Sequence, residues 1–313
     1  MAASILKSEH FQNEEAAFAY VESRLWPDGP VCPHCGSISH KHYDLRKTRI
    51  GLRKCAEKGC RKQFTVRIKT IFEDSHLPLH LWLQIIHLMC ASKKGISTNQ
   101  VQRLLKCSMK TAWFLTHRIR EVLRSGSLSP MGGNGGIVEV DETFIGRREG
   151  FEAKPGWVRH KNTVLTLVER GGAARSFHID EATKEEIIPI VRANLDRETH
   201  LMTDEARRYE TLGKDFSGHG VVDHSRKEYG YTDRQSGAKV NTNTVEGYYS
   251  IFKRGMKGVY QHCSEQHLHR YLAEFDFRYS NRIKLGVDDT ARAERALQGV
   301  KGKRLTYETT KAV

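Results

Sequence analysis

The alternation of apolar and polar residues divides the chain into a helical N-terminal part and a later part in which strands and helices follow one another. Phe11, Ala16, Phe18, Ala19, Val21 and Leu25 recur at roughly helical spacing and predict a short packing helix, which WPDGP ends. LHLWLQIIHLMCASKK predicts a second helix, and ISTNQVQRLLKCSMKTAWFLTHRIREVLRSG two more, joined by a tight turn at Lys106 to Ser108. Ser97 or Thr98 and Ser108 suit the starts of the last two, because a short side-chain oxygen can accept the N–H groups that a helix start leaves unpaired. This pair has the form of a helix-turn-helix whose second helix would turn Lys110, Thr111, His117 and Arg118 toward DNA. Three-helix packing without a DNA contact is the plainer alternative.

SGSLSPMGGNGG then reads as a linker, and GIVEVDETFIG as a strand in which apolar Ile137, Val138 and Val140 give way to Asp141-Glu142. Successive strand residues point to opposite faces, so Asp141 shares a face with Thr143 and only one of the two acids can face a site. NTVLTLVE and SFHID predict a hairpin, ATKEEIIPIVRANL an amphipathic helix, THLMTDE a strand ending in Asp204-Glu205, and GHGVVDHS a further short strand. NTNTVEGYYSIFKRG is a helix on which Glu246 and Lys253 share a face about 10 Å apart, too far for a salt bridge. Leu268, Leu272, Phe275 and Tyr279 predict a last core helix, with Arg270, Arg278 and Arg282 meeting phosphates or neutralising Asp276 and its neighbours.

Composition narrows the function. A chain of 313 residues, 38% hydrophobic and 28% charged, can bury a sizeable core in two or three domains. MAASILKSEHFQNEE lacks the apolar core of a signal peptide, and LPLHLWLQIIHLMCA is too short and too interrupted to span a bilayer, so a cytoplasmic, nucleoid-associated protein with no membrane partner is expected. Fifty-one lysines and arginines against 37 acids leave a net charge of +14, which favours a polyanionic partner such as nucleic acid. Eleven of those bases lie between Lys41 and Lys69, against only Asp44 and Glu57.

The basic stretch overlaps the pattern Cys32-x2-Cys35-x19-Cys55-x4-Cys60. Two close pairs about twenty residues apart bring four thiolates to one tetrahedral point, as two knuckles on neighbouring hairpins, and predict a structural Zn²⁺. Gly36 and Gly59 are the expected knuckle turns. Disulfides fit an intracellular chain poorly, and a redox C-x-x-C would not need the second pair. Cys90, Cys107 and Cys263 read as small buried apolar residues.

A strand carrying Asp141 beside one ending at Asp204, with a helix bearing Glu246 across them, looks like the RNase H-type fold of polynucleotidyl transferases. The ribbon, VEVDETFIG, TDEARRY and NTVEGYYSIFKRGMKGVYQH together resemble the DDE transposases of bacterial insertion sequences, in the ISXO-like group with an N-terminal zinc ribbon, from about Phe11 to Tyr307. The resemblance implies an α/β chain: an N-terminal helix and zinc ribbon at 1–78, a helix-turn-helix-like region at 79–125, a Gly-rich linker at 126–136, an RNase H-like catalytic domain at 137–285 and a tail at 286–313. It implies that Asp141, Asp204 and Glu246 hold Mg²⁺ or Mn²⁺, that Lys253 holds the phosphate beside the cleaved bond, and that a metal-activated water frees a 3′-OH which then attacks target DNA. Some relatives carry Asn as the third ligand, and Asn243 stands one turn before Glu246; charge and the spacing to Lys253 favour Glu246. Arg61, Lys62, Lys110, Arg118 and Asn243 are the expected DNA contacts, and the partner is DNA, bound by a homo-oligomer. His224 could approach the metals or serve as a structural or phosphate contact, while Glu142 and Glu205 read as solvated acids. A catalytically silent zinc-ribbon regulator and a nuclease that only hydrolyses share the same residues.

Overall fold

The computed structural model describes residues 4–124, 129–152, 157–226, 230–232, 237, 239–303 and 305. They fall into two compact units, one of Met1–Ser92, Ile96–Leu123 and Asp288–Val313, the other of Lys93–Gly95 and Arg124–Val287.

In the first unit, α1 (Glu14–Leu25) is capped by Asn13, whose Oδ1 accepts the Ala16 N–H at 3.1 Å, and buries Ala17, Phe18, Val21 and Leu25. A three-stranded antiparallel ribbon follows, β1 (Tyr43–Asp44), β2 (Arg53–Lys54) and β3 (Gln63–Phe64), too small for a core of its own beyond Phe64 and the buried cysteines. α2 (Leu79–Ala91) is the most apolar helix of this unit. α3 (Thr98–Leu105) and α4 (Met109–Leu123) start as expected: Ser97 Oγ accepts the Gln100 N–H at 3.2 Å and Ser108 Oγ the Thr111 N–H at 3.1 Å. Lys106, at φ 49°, makes the left-handed turn between them.

The second unit is built on a five-stranded mixed sheet in the order β6-β5-β4-β7-β8: β4 (Ile137–Ile145), β5 (Asn162–Glu169), β6 (Ala174–Ile179), β7 (His200–Asp204) and β8 (Gly218–Val222). β4 and β6 run antiparallel to β5, whereas β7 is parallel to both β4 and β8. β9 (Tyr231–Thr232) and β10 (Lys239–Val240) pair as a separate two-stranded sheet, with Val240 packed against Met202 and Val222. One sheet face packs against α5 (Lys184–Asn194) through Val138, Val140, Leu165 and Leu167. The other packs against α6 (Asn243–Gly255) and α7 (Leu268–Ser280) through Ile145, Val164 and Val168. Strand alternation thus sends the odd residues of β4 to α6 and the even ones to α5. Gly255 closes α6: a Cβ there would lie 2.4 Å from the Phe275 ring and 2.8 Å from the Lys94 carbonyl.

Two stretches differ from expectation. In the Gly-rich 126–136 segment, Met131 is buried and bridges to Leu195, and Thr199 Oγ1 donates to its carbonyl at 3.0 Å, so that part is bound to the second unit. The 286–313 tail contains α8 (Asp289–Gln298), which packs on α2 in the first unit; Arg292 donates to the Cys90 carbonyl at 2.7 Å and Thr70 bridges to Lys301. A polar helix with only Arg292, Ala296 and Leu297 buried leaves little apolar periodicity to read.

Candidate active site and metal centre

The four ribbon cysteines converge: all their sulfurs lie within 4.8 Å of one another, with Cys32–Cys60 at 3.8 Å and Cys35–Cys55 at 3.6 Å. A tetrahedral zinc with Zn–S near 2.3 Å sets its sulfurs about 3.8 Å apart, so the donor set fits Zn²⁺ in type, number and separation. Burial pushes the Cys55 thiol up to about 12, a state that a bound dication reverses by favouring the thiolate. Gly36, at φ 78°, makes the first knuckle turn as expected, but the left-handed residue of the second is Arg61, at φ 52°, and Gly59 has no positive φ. Arg61 is exposed and donates to Tyr43 Oη at 2.8 Å, and Lys62 is exposed beside it.

Not all of the ribbon's positive charge faces solvent. Arg53 pairs with Glu22 at 2.7 Å, and Arg67 donates to the Phe72, Ser75 and Leu77 carbonyls, whereas Arg46 stays exposed while it holds the Asp44 carboxyl down at about 2. The helix-turn-helix assignment splits likewise. Lys110 is exposed on α4, but His117 and Arg118 are buried, and Arg118 lies between the Trp82 and Phe114 rings with Nη2 donating to the Glu73 carbonyl. Cations stacked on aromatic rings serve packing, so Arg118 is a structural residue where the sequence suggested an exposed one.

In the second unit the β4–β7 register pairs Ile137 with His200 and Glu139 with Met202; carried two residues on, it sets Asp141 across from Asp204, the last residue of β7. Burial pushes the Asp141 carboxyl up to about 6, opposed by the Glu142 N–H that donates to its Oδ1 at 2.8 Å and reinforced by the charges of Asp204 and Glu246. The Asp141 carboxyl thus lies within the field of the other two expected acids, which come from two other chain segments. Among the described residues only the cysteines have all their ligand atoms within 4.8 Å, so the acids are gathered less tightly. Carboxylates around two cations about 3.5–4 Å apart span more than one coordination sphere, and hard oxygen donors in that spread fit Mg²⁺ or Mn²⁺.

Glu246 is exposed on the first turn of α6, with Thr242 Oγ1 donating to its Oε1 at 3.1 Å. Asn243, also exposed, is the first residue of that helix. Lys253 lies two turns from Glu246, half-buried, its Nζ 5.9 Å above the Tyr249 ring. The side chain of His224 falls outside the described residues.

One acid of the site was misread and three other residues went unread. Glu142 is buried rather than solvated: it faces away from Asp141, pairs with Arg208 at 2.5 Å, and burial pushes it up to about 7. Glu139, two residues before Asp141 on the same face, accepts the N–H groups of Thr244 and Val245 at 2.7 and 2.9 Å. Arg170 donates to Glu139 at 2.7 Å and to the Asn241 carbonyl at 2.9 Å. Tyr249 donates to the carbonyl of Asp141 at 2.5 Å. Only Glu139 left a signal, as an acid out of place in a buried strand.

The mixed sheet with helices on both faces and acids at β4, β7 and α6 is the α/β, RNase H-like class expected from the sequence. Residues 134–280 match the ISXO2-like transposase domain and residues 12–63 the transposase zinc-ribbon domain, and the chain belongs to the ISXO2-like transposases with an N-terminal zinc ribbon. No curated protein matches its sequence. Among solved structures it is similar to the Mos1 transposase of a pre-cleavage transpososome, at 11% identity and TM-score 0.27 over 69% of this chain and 74% of that one. It is also similar to the Drosophila P element transposase in its strand transfer complex, at 11% identity and TM-score 0.27 over 68% of this chain and 59% of that one. No helix among the described residues is long and apolar enough to cross a membrane.

Proposed function

We propose that this transposase binds the ends of its insertion sequence and catalyses metal-dependent phosphodiester cleavage followed by strand transfer into target DNA. The observation that supports the reading is geometric: the β4–β7 register sets Asp141 across from Asp204, and α6, whose Tyr249 donates to the Asp141 carbonyl, carries Glu246 on its first turn. Mg²⁺ or Mn²⁺ bound there would supply Lewis-acid stabilisation of the charge that builds up at a displaced phosphodiester oxygen. Asp141 would fix its carboxylate in the middle of β4, Asp204 at the end of β7, and Glu246 would bring the third on a helix. Lys253, braced on Tyr249, offers a cation to the phosphate next to the scissile bond. Arg61 and Lys62 on the ribbon, Lys110 on α4 and Asn243 on α6 are exposed for contacts with DNA, which positions the chain mainly through phosphates, on a homo-oligomer assembled at the element's ends in the nucleoid.

The experiment is cleavage and joining of labelled terminal repeats with Mg²⁺, wild type beside Asp141→Ala. Wild type should nick and join the ends; the variant should bind them with nearly unchanged affinity and do neither. Nicking without joining would make the chain a nuclease, and binding by wild type without cleavage would make it a regulator.

A further inference from the structure

We infer that Glu139 is a positioning residue for the acidic site: it caps α6 from the neighbouring strand and thereby fixes the phase at which Glu246 meets Asp141. The inference rests on the reading of those acids as a metal site.

A helix start leaves its first N–H groups without partners, and most helices meet that need with the side chain of their own N-cap residue. α6 does not. Thr242, its N-cap, makes no side-chain cap hydrogen bond; its hydroxyl goes to Glu246 instead. Glu139, in the middle of β4 and 0% exposed, supplies the acceptor. Its Oε2 takes the Thr244 and Val245 N–H groups at 2.7 and 2.9 Å, and its Oε1 takes Thr244 Oγ1 at 2.8 Å and Arg170 Nε at 2.7 Å. Four donors fill the four acceptor positions of an ionised carboxylate, at the end of the helix where a negative charge is most favoured.

The geometry gives this cap a consequence that packing alone lacks. Glu139 and Asp141 share one face of one strand, so the cap measures the start of α6 from a point two residues before the first acid. Tyr249 makes a second measurement one turn on, donating to the Asp141 carbonyl, and Arg170 ties the chain entering α6 through the Asn241 carbonyl and Oδ1. Glu246 lies between the two fixed points. A helix has 100° between successive residues, so a small slip in phase would swing Glu246 off the face that carries Asp141.

The test compares full-length wild type with Glu139→Gln, Glu139→Asp and a control, Glu274→Gln, which disturbs a buried acid paired with Arg278 and Tyr260 away from β4. Outer residues that orient metal ligands typically change metal affinity by ten- to a hundredfold. In Glu139→Gln the Mg²⁺ concentration giving half-maximal cleavage should therefore rise about tenfold or more, with end binding unchanged and the α6 amides at 243–246 exchanging faster with solvent. Glu139→Asp, which keeps the charge, should recover part of the shift. Glu274→Gln should lose cleavage only in proportion to its folded fraction, with the Mg²⁺ midpoint of wild type.

A Glu139→Gln midpoint equal to wild type, with activity tracking folded fraction as in the control, would overturn the inference. Should wild type fail to cut under any divalent condition, the functional reading falls separately, and Mn²⁺ binding followed by electron paramagnetic resonance decides. Weaker Mn²⁺ binding in Glu139→Gln than in wild type would then sustain the positioning role, and equal or absent binding would end it.

Discussion

The cysteine cluster and the acidic site solve the same problem, holding charged ligands together, by opposite means. The cysteines come from one short ribbon, Cys32 to Cys60, whose strands have two residues each and whose packing offers little besides Phe64. The acids come from positions 141, 204 and 246, and the largest buried sheet of the molecule holds them. In the ribbon the ion would organise the fold; in the second unit the fold would organise a place for ions. The first centre should fail by unfolding when its ligands change, and the second by losing chemistry while keeping its shape.

The largest effect should come from the ribbon. Replacing Cys55 by Ser should empty the site of its one zinc per chain and unfold residues around 30–65, because a structural zinc supplies on the order of 10 kcal/mol to folding. Zinc analysis and amide exchange read both outcomes, and the exchange pattern of residues 137–280 should stay that of wild type. A zinc-free protein whose Cys55→Ser form has an unaltered ribbon would erase the contrast.

At the acidic site the folded shape should survive and the rate should not. Glu246→Gln should cut several orders of magnitude more slowly and Asn243→Ala only modestly. Lys253→Ala should lose roughly ten- to a thousandfold, with part regained by Lys253→Arg, which keeps the charge on a different shape. Single-turnover cleavage with Mg²⁺ titrated for each variant separates them. Were Asn243→Ala dead and Glu246→Gln unimpaired, the third ligand would move one turn toward the helix start.

The smallest effect concerns acidity within the second unit. Burial pushes Asp276 up to about 6, although Ser176 and Tyr248 donate to it. Between about pH 4 and 6 the folded chain then holds a proton that the unfolded chain has released, so this group's stabilisation is present below about pH 4 and lost as pH rises through 6. Asp276→Asn should lower Tm overall yet flatten its fall across that window, as scanning calorimetry at several pH values would show. An unchanged slope would mean that the proton is held elsewhere.

The ribbon was legible because its chemistry is local: spacing alone brings four thiols together. Ser97 and Ser108 could be read as caps for the same reason, since a cap acts on residues two or three places away. Asp141, Asp204 and Glu246 were legible only as a set, through the strand and helix order around them. Glu139 and the burial of Arg118 were not, because a buried polar side chain is explained by partners far along the chain. Glu139 answers α6 more than a hundred residues later, and Arg118 answers Trp82, Phe114 and the Glu73 carbonyl, while Arg278 pairs with Glu274, one of the expected neighbours of Asp276. Arg282, another expected phosphate contact, donates to the Gly172 and Tyr279 carbonyls. Periodicity marks such positions only as interruptions.

The return of α8 to α2 gives the two units different histories on the ribosome. Residues 124–287 are almost continuous and can close as soon as they emerge, whereas the helices that precede them wait for Arg292 to reach the Cys90 carbonyl and for Lys303 to reach the carbonyls of Glu121 and Val122. At a translation rate of 5–20 residues per second that wait lasts on the order of ten to thirty seconds. During it the sheet is whole while α2 still lacks the helix that covers it. A message truncated before Asp289 would yield a finished sheet attached to a first unit whose α2 still lacks its cover.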